Sequence, residues 1–425
     1  MTKTANDSTN NSSRDFSKQN QVGILGVHAT YFAIDLFVSI FLIARILTTF
    51  EGDFSRVALF NCTVWCGIIL TFWLFSYVVK KFSRVWCIRI STAGLLAGVI
   101  LVLLLRDSLA DYYLLLGAIW GLSLGIYWCA MLTFTSETQG GKRMSGYVGW
   151  FIGISAFTRV VFPFTLGAII ESPDLGFGSA AGIATGLAVI LLLFTLILRD
   201  QKKSEGKSFS MRAFFRYIRD NKIKKPIWSQ FWIQIVYGFV AVISLCVTII
   251  VVLSVESNLE LGILTSVWAG VSIVVLLIYK AIKSPKVKAW TYFILGALPL
   301  LGAIGLLFDV NLVLVAICQG AYLSFKPAVQ SELEKARTNL MADFGAEHLH
   351  TESLLFTEFA YFASRFAGVG LILAVYYSGV FYLFQVLIVL LMATFFLAII
   401  LLHFWNKKHL HIQADKVLES LPTND

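Results

Sequence analysis

Five ionisable side chains stand inside stretches that are otherwise apolar: Asp35, Arg159, Lys326, Glu358 and Arg365. A charge at mid-bilayer costs at least ~2.5–3.5 kcal/mol on insertion scales, so such a group faces a partner or a water-filled cavity and marks a functional site. A carboxylate whose neighbouring cation moves between two states can take up and release a proton, which makes Asp35 and Glu358 the candidate proton carriers. Arg159 and Arg365 are candidate anion clamps, by bidentate contact with a carboxylate or phosphate. Polar neighbours follow at helical spacing. His28, Asp35 and Ser39 share one face. Gln230, Gln234, Tyr237, Ser244 and Thr248 form a stripe, as do Gln319, Tyr322 and Lys326, and Glu358, Tyr361 and Arg365. Trp120, Tyr127 and Trp128 supply aromatic walls.

Each of these has a plainer reading. Asp35 and Arg159 can be an ion pair that only joins two helices. Lys326 can snorkel or pair with Glu358. His28 suits helix packing as well as a proton relay, and Gln230 and Gln234 can bond across helices without touching solute. The depth of the charges separates the two arginines. Asp35 stands at the depth of Arg159 and is expected to pair with it. Glu358 is two turns, about 10 Å, from Arg365, which leaves Arg365 as the less compensated cation.

The elements that position these groups follow from composition. Of 425 residues, 58% are hydrophobic and 14% charged, against about 25% charged in soluble domains, so a soluble enzyme and a disordered chain are both excluded. Twelve apolar runs cover about 22–46, 55–79, 86–105, 112–135, 146–170, 178–198, 227–253, 261–282, 289–308, 310–330, 353–378 and 380–405. Each is long enough, at roughly 20 residues, for a spanning helix, and they are spans 1 to 12 here. The net charge of +9 sits in short loops between spans, where it sets orientation rather than binding nucleic acid. The six cysteines form no CxxC and no Cys/His cluster, so neither a disulfide framework nor a metal site is expected. No P-loop occurs, and no cofactor is implied.

Charge fixes the expected orientation. The segment 199–225 holds ten bases against three acids, and the alternate loops hold nine acids against two bases. Both termini and this linker are therefore expected in the cytoplasm of a plasma-membrane protein. Phe209, Phe214, Phe215 and Ile218, interleaved with Arg212, Arg216 and Arg219, suggest a linker helix lying on the anionic inner leaflet. The expected organisation is a disordered tail over 1–21, a six-helix half over 22–198, the linker over 199–225, a second half over 226–405 and a tail over 406–425. An internal repeat supports the division. Gly125, Tyr127 and Ser136-Glu137 recur as Gly320, Tyr322 and Ser331-Glu332, an offset of 195. Lys81-Phe-Ser-Arg84-Val85 after span 2 answers Lys283-Ser-Pro-Lys286-Val287 after span 8.

In these features the chain resembles the major facilitator superfamily over about residues 22–405. The family's loop signature after span 2, Gly-x-x-x-Asp-Arg/Lys-x-Gly-Arg/Lys-Arg/Lys, corresponds to Ser76 through Val85, with Lys81 and Arg84 at basic positions and Lys80 in place of the acid. The antiporter signature of span 5 survives only as Gly149, Pro163 and Gly167. The resemblance implies an all-α membrane fold of two six-helix bundles, a central cavity between them, and transport by alternating access. It also implies a cytoplasmic gate, here Lys80, Lys81 and Arg84 with Glu137. Lys80 is expected to pair with Glu352 or Glu358.

The resulting reading is a secondary transporter, not an enzyme, for a small anionic or zwitterionic solute. Arg365, Arg159, Gln230, Gln234, Tyr127, Tyr322 and Lys326 are its binding candidates. Protons or sodium ions are candidate coupling ions, the bilayer is its other partner, and a monomer is the family default. Export of amphipathic or lipid-linked molecules is the alternative within this class. An intramembrane enzyme using His28 and Asp35, or a transporter-like sensor, are alternatives outside it.

Overall fold

The computed structural model describes the backbone of residues 4–138, 144–199, 209–220, 224–343, 346 and 349–419, and the side chains of those residues except 4–18, 80, 107, 110, 134–138, 144–152, 285, 338, 342–343 and 408–419. Among the described residues twelve helices are long and apolar enough to cross a membrane. They are α1 (Gln19–Thr49), α2 (Phe54–Val79), α3 (Arg84–Leu105), α4 (Tyr113–Thr133), α5 (Gly153–Glu171), α6 (Gly176–Ile197), α7 (Lys224–Ser254), α8 (Asn258–Ala281), α9 (Lys286–Gly305), α10 (Leu312–Met341), α11 (His350–Ser378) and α12 (Phe381–Lys407). A linker helix, Met211–Asp220, lies between α6 and α7. Side chains start several helices. Asp53 accepts from the Ser55 N–H at 2.9 Å, Ser83 from Trp86 at 3.1 Å and Ser257 from Glu260 at 3.1 Å, each satisfying a donor with no partner inside the helix.

Packing repeats with a shift of six helices. α2 packs on α4, α3 on α4 and α6, and α1 on α5 and α6; α8 packs on α10, α9 on α10 and α12, and α7 on α11 and α12. The halves meet along α2–α11 and α5–α8, which exchange under the same shift. Small residues make the closest approaches, as expected where lipid removes the hydrophobic drive between helices. Gly117, Gly121 and Gly125 of α4 lie on the Phe60, Val64 and Ile68 carbonyls of α2, and a Cβ on Gly121 would stand 2.2 Å from the Val64 oxygen. In the second half Gly320 faces the Trp268 ring instead.

The halves touch at the end opposite the linker helix. There Gly167 of α5 sits against the Asn258 carbonyl, Gly262 of α8 sits against the Pro163 carbonyl, and the Asn258 N–H donates to Glu171 at 3.1 Å. On the other flank Phe54 packs edge-on against Tyr376, with ring centroids 5.1 Å apart.

The helix carrying α1 begins at Thr4, and extending an existing helix is far easier than nucleating one. Two expectations are corrected. α10 continues past residue 330 to Met341, its helix ending at Asp343. Leu333, Ala336, Leu340 and Met341 are buried along that extension, so the segment is one helical face and not a loop. The linker helix buries Phe214 and Ile218 against protein, with Phe214 5.8 Å from Phe356 of α11. Part of its apolar face is thus packed on α11, while Phe215, Arg212, Arg216 and Arg219 remain exposed.

Candidate functional site

Local breaks in the helices place the central charges. Immediately after Asp35, α1 passes through a π-helical turn, Phe37–Leu42, a bulge of the kind common at functional sites. Pro163 lies four residues beyond Arg159 and Pro327 directly follows Lys326, both inside helices. A proline cannot donate to the carbonyl four residues back. The Leu323 carbonyl freed in this way accepts from Ser272 of α8 at 3.3 Å.

The site is built from both halves. Asp35 of α1 accepts from the Tyr31 hydroxyl at 3.4 Å, and the Tyr31 ring packs edge-on against Trp128 of α4, with centroids 5.5 Å apart. Asp35 lies within electrostatic reach of Arg159 of α5 and Lys326 of α10. Among the described residues neither cation forms an ion pair with it within contact distance, so the pairing of Asp35 with Arg159 is an attraction across a gap. The Arg159 guanidinium stands 5.4 Å from the Phe32 ring centroid. Lys326 donates to Ser244 of α7 at 2.9 Å. Ser244 in turn lies 2.9 Å from the Tyr322 hydroxyl, which donates to the Val240 carbonyl at 2.6 Å.

The repeated tyrosines play matching parts. Tyr127 and Tyr322 are both fully buried. Each hydroxyl ties the fourth helix of its half to the first: Tyr127 meets His28 Nδ1 at 3.1 Å, and Tyr322 meets Val240 and Ser244. Tyr127 stacks on Tyr31 at 4.4 Å. Both are therefore walls and braces of the site.

Arg365 departs from expectation. Its Nη1 lies 3.6 Å from Glu358 Oε2, so it is the compensated arginine. Side chains lean toward the helix N-terminus, and a long arginine reaching back covers the two turns that separate the Cα atoms. Gln230 and Gln234 are buried at 5% and 1% exposure. They line a small cavity among the linker-side ends of α7, α10 and α11, together with Arg337. Arg337 lies beyond residue 330, the expected end of span 10; its signal is the i, i+3, i+4 spacing from Leu333 through Arg337.

The gate candidates divide. The side chains of Lys80 and Glu137 lie outside the described residues. Lys81 is exposed and Arg84 is buried. Glu352, proposed as a partner of Lys80, accepts from the Ser210 N–H at 3.1 Å. Glu358 is engaged by Arg365. Among the described residues no group of three or more His, Cys, Asp or Glu could hold a metal ion.

Two halves of six helices around a charged centre constitute the major facilitator fold, and the chain is a multi-pass membrane protein of that fold. Among solved structures it is similar to the nucleoside transporter NupG (TM-score 0.62, 12% identity, covering 92% of this chain and 98% of that one). It is also similar to a bacterial homologue of the iron transporter ferroportin in an inward-facing state (0.58, 14%, 92% and 98%). A third is an auto-inhibited POT family peptide transporter (0.63, 11%, 91% and 96%). No family model matches the sequence. In sequence the chain is similar to "Uncharacterized protein YqgE" of Bacillus subtilis (strain 168), 25% identical over 261 residues, or 60% of this chain and 59% of that protein. It is also similar to "Uncharacterized protein in sodM 3'region" of Geobacillus stearothermophilus, 30% identical over 121 residues, or 28% and 56%. The matches thus span little more than half the length of these curated relatives.

Proposed function

We propose that the protein is a secondary transporter that moves a small anionic or zwitterionic solute across the plasma membrane by alternating access. The observation that carries this reading is the arrangement of Asp35, Arg159 and Lys326. One carboxylate faces two cations, Arg159 from the first half and Lys326 from the second, and neither is in ion-pair contact with it. Glu358 and Arg365 compensate each other, so the centre holds one positive charge in excess. A carboxylate or phosphate on a solute supplies the missing acceptor, and it draws both halves toward itself because its two cations belong to different halves. The fold's likeness to nucleoside, peptide and metal transporters supports transport over catalysis, while the choice of solute rests on these charges.

In this mechanism Asp35 and the solute anion compete for the same two cations. When the solute takes Arg159 and Lys326, Asp35 loses its counter-charges and takes a proton, which couples solute to proton movement; sodium is the alternative ion. The two halves rock about the centre. Opening at the end opposite the linker requires the Glu171–Asn258 and Phe54–Tyr376 contacts to part. Lys80, Lys81, Arg84 and Glu137 serve the gate on the linker side, where the termini lie in the cytoplasm. The protein works as a monomer. The test is a flux screen in proteoliposomes of carboxylates, phosphate esters, amino acids and neutral solutes under imposed proton or sodium gradients. Uptake of an anionic or zwitterionic solute driven by one gradient supports the reading; flux restricted to neutral or cationic solutes overturns it.

A further inference from the structure

We infer that the face of the linker helix left free by α11, together with the linker-side end of α7, is a docking site for an anionic phospholipid. The linker helix, Met211–Asp220, is held in one orientation. At its start the Ser210 hydroxyl accepts from the Ala213 N–H at 3.1 Å, and the Ser210 N–H donates to Glu352 of α11 at 3.1 Å. Phe214 and Ile218 are buried on the inner side. Arg212, Phe215, Arg216 and Arg219 stand at i, i+3, i+4 and i+7, which is one helical face, and all four are exposed. Arg219 pairs with the adjacent Asp220 at 3.0 Å, whereas among the described residues Arg212 and Arg216 form no ion pair within contact distance.

The surface continues onto α7. Lys224 and Lys225 open that helix and are exposed. Trp228 and Trp232, one and two turns further in, are 38% and 59% exposed. The rings of Phe215 and Trp228 each lie 5.8 Å from the Phe356 ring, which joins the two parts. From the end of α7 inward, the surface thus runs from four uncompensated bases to indole rings on the flank of a membrane-spanning helix. That is the polarity of one phospholipid, with its charged head outermost and its acyl chains below. Indole rings favour the level of the headgroups, guanidinium groups bind phosphate through paired N–H donors, and clustered bases beside a span attract anionic lipid. A soluble acidic protein matches the bases but does not reach Trp232 on the flank of a span. A zwitterionic phospholipid fits the indoles but leaves the bases uncompensated. Because Phe214 packs 5.8 Å from Phe356, a lipid held here ties the linker helix and α11 to the bilayer.

The experiment uses the full chain in detergent micelles and reads its thermal unfolding midpoint as phosphatidylglycerol or phosphatidylcholine is added. The inference requires a saturable upward shift with phosphatidylglycerol that phosphatidylcholine and inorganic phosphate do not reproduce. The shift should be lost in Arg212→Gln/Arg216→Gln and retained in Lys283→Gln/Lys286→Gln, which removes two exposed bases from another loop on the same side. Should the arginine variant fail to fold, Lys224→Gln/Lys225→Gln carries the same requirement. Equal midpoints in the two lipids, the result expected of a surface for a soluble protein, would overturn the site. So would a shift produced by inorganic phosphate alone, a shift that survives loss of the two arginines or the two lysines of α7, or an equal loss in Lys283→Gln/Lys286→Gln.

Discussion

The Arg365 guanidinium lies 3.6 Å from the carboxylate of Glu358, seven residues back on the same face of α11. The two side chains are 19% and 17% exposed, so each charge depends on the other. Breaking a buried pair from one side costs about 3–5 kcal/mol, while replacing both partners can be nearly neutral. Glu358→Gln and Arg365→Gln should therefore each lower the unfolding midpoint. The double variant should be more stable than either single one, as a thermal double-mutant cycle in detergent would read.

Arg159 and Lys326 should respond differently, because neither is bound to a carboxylate. Arg159→Gln and Lys326→Gln should leave the unfolding midpoint within a few degrees of wild type. Each should reduce solute flux by roughly tenfold to a hundredfold, the loss of one charged hydrogen bond of about 1.5–3 kcal/mol. Arg159→Lys should rescue poorly, since an ammonium lacks the planar fork. Initial rates in proteoliposomes, set beside melting curves, separate the two effects.

The stripe of α4 glycines should tolerate nothing larger. A Cβ at Gly121 meets the Val64 carbonyl at 2.2 Å, and backbone cannot swing aside as a side chain does. Gly121→Ala should lose at least ~1–3 kcal/mol and lower the folded yield. At Gly153 nothing among the described residues lies within 4 Å of an added Cβ, so Gly153→Ala should be neutral or slightly stabilising, by up to about 1 kcal/mol. Size-exclusion yield and melting of the two variants, measured side by side, check the contrast.

The twelve spans were readable because hydropathy depends only on apolar run length, and the site's charges were readable because each interrupts such a run. What escaped depended on reach and on partners from elsewhere in the chain. Depth along an axis put Glu358 out of range of Arg365, yet a long arginine reaching back toward the helix N-terminus closes two turns. The acidic stretch after Lys326 read as a loop because charges interrupt its apolar residues, although Leu333, Ala336 and Leu340 keep helical period. The linker helix announced an apolar face but not that Phe356 of α11 would cover it. The contact of Lys326 with Ser244 joins two residues 82 positions apart, and no local pattern states it.

Asp53 offers a pH test outside the membrane spans. Burial pushes its carboxyl upward, but hydrogen bonds from the Ser55 hydroxyl and N–H and from Tyr376 outweigh this and hold it below the ordinary aspartate range. With the folded value depressed, its contribution is present above the unfolded value, about 3.9, and is lost as pH falls through the folded one. Asp53→Ala should cost about 1 kcal/mol at neutral pH. The difference from wild type should shrink below about pH 4. A stability gap that persists unchanged into that acid range would contradict the assignment.

In the proposed mechanism an anion meets Arg159 and Lys326 between the halves. The most direct measurement is solute-evoked flux in proteoliposomes of wild type and of the Arg159→Gln/Lys326→Gln variant, matched for folded protein. The screen above supplies the solute. Wild type should show saturable flux of a carboxylate- or phosphate-bearing solute, and the double variant should lose it while its melting curve stays close to wild type. Undiminished flux in the double variant, or wild-type flux confined to solutes without an anionic group, would contradict that mechanism.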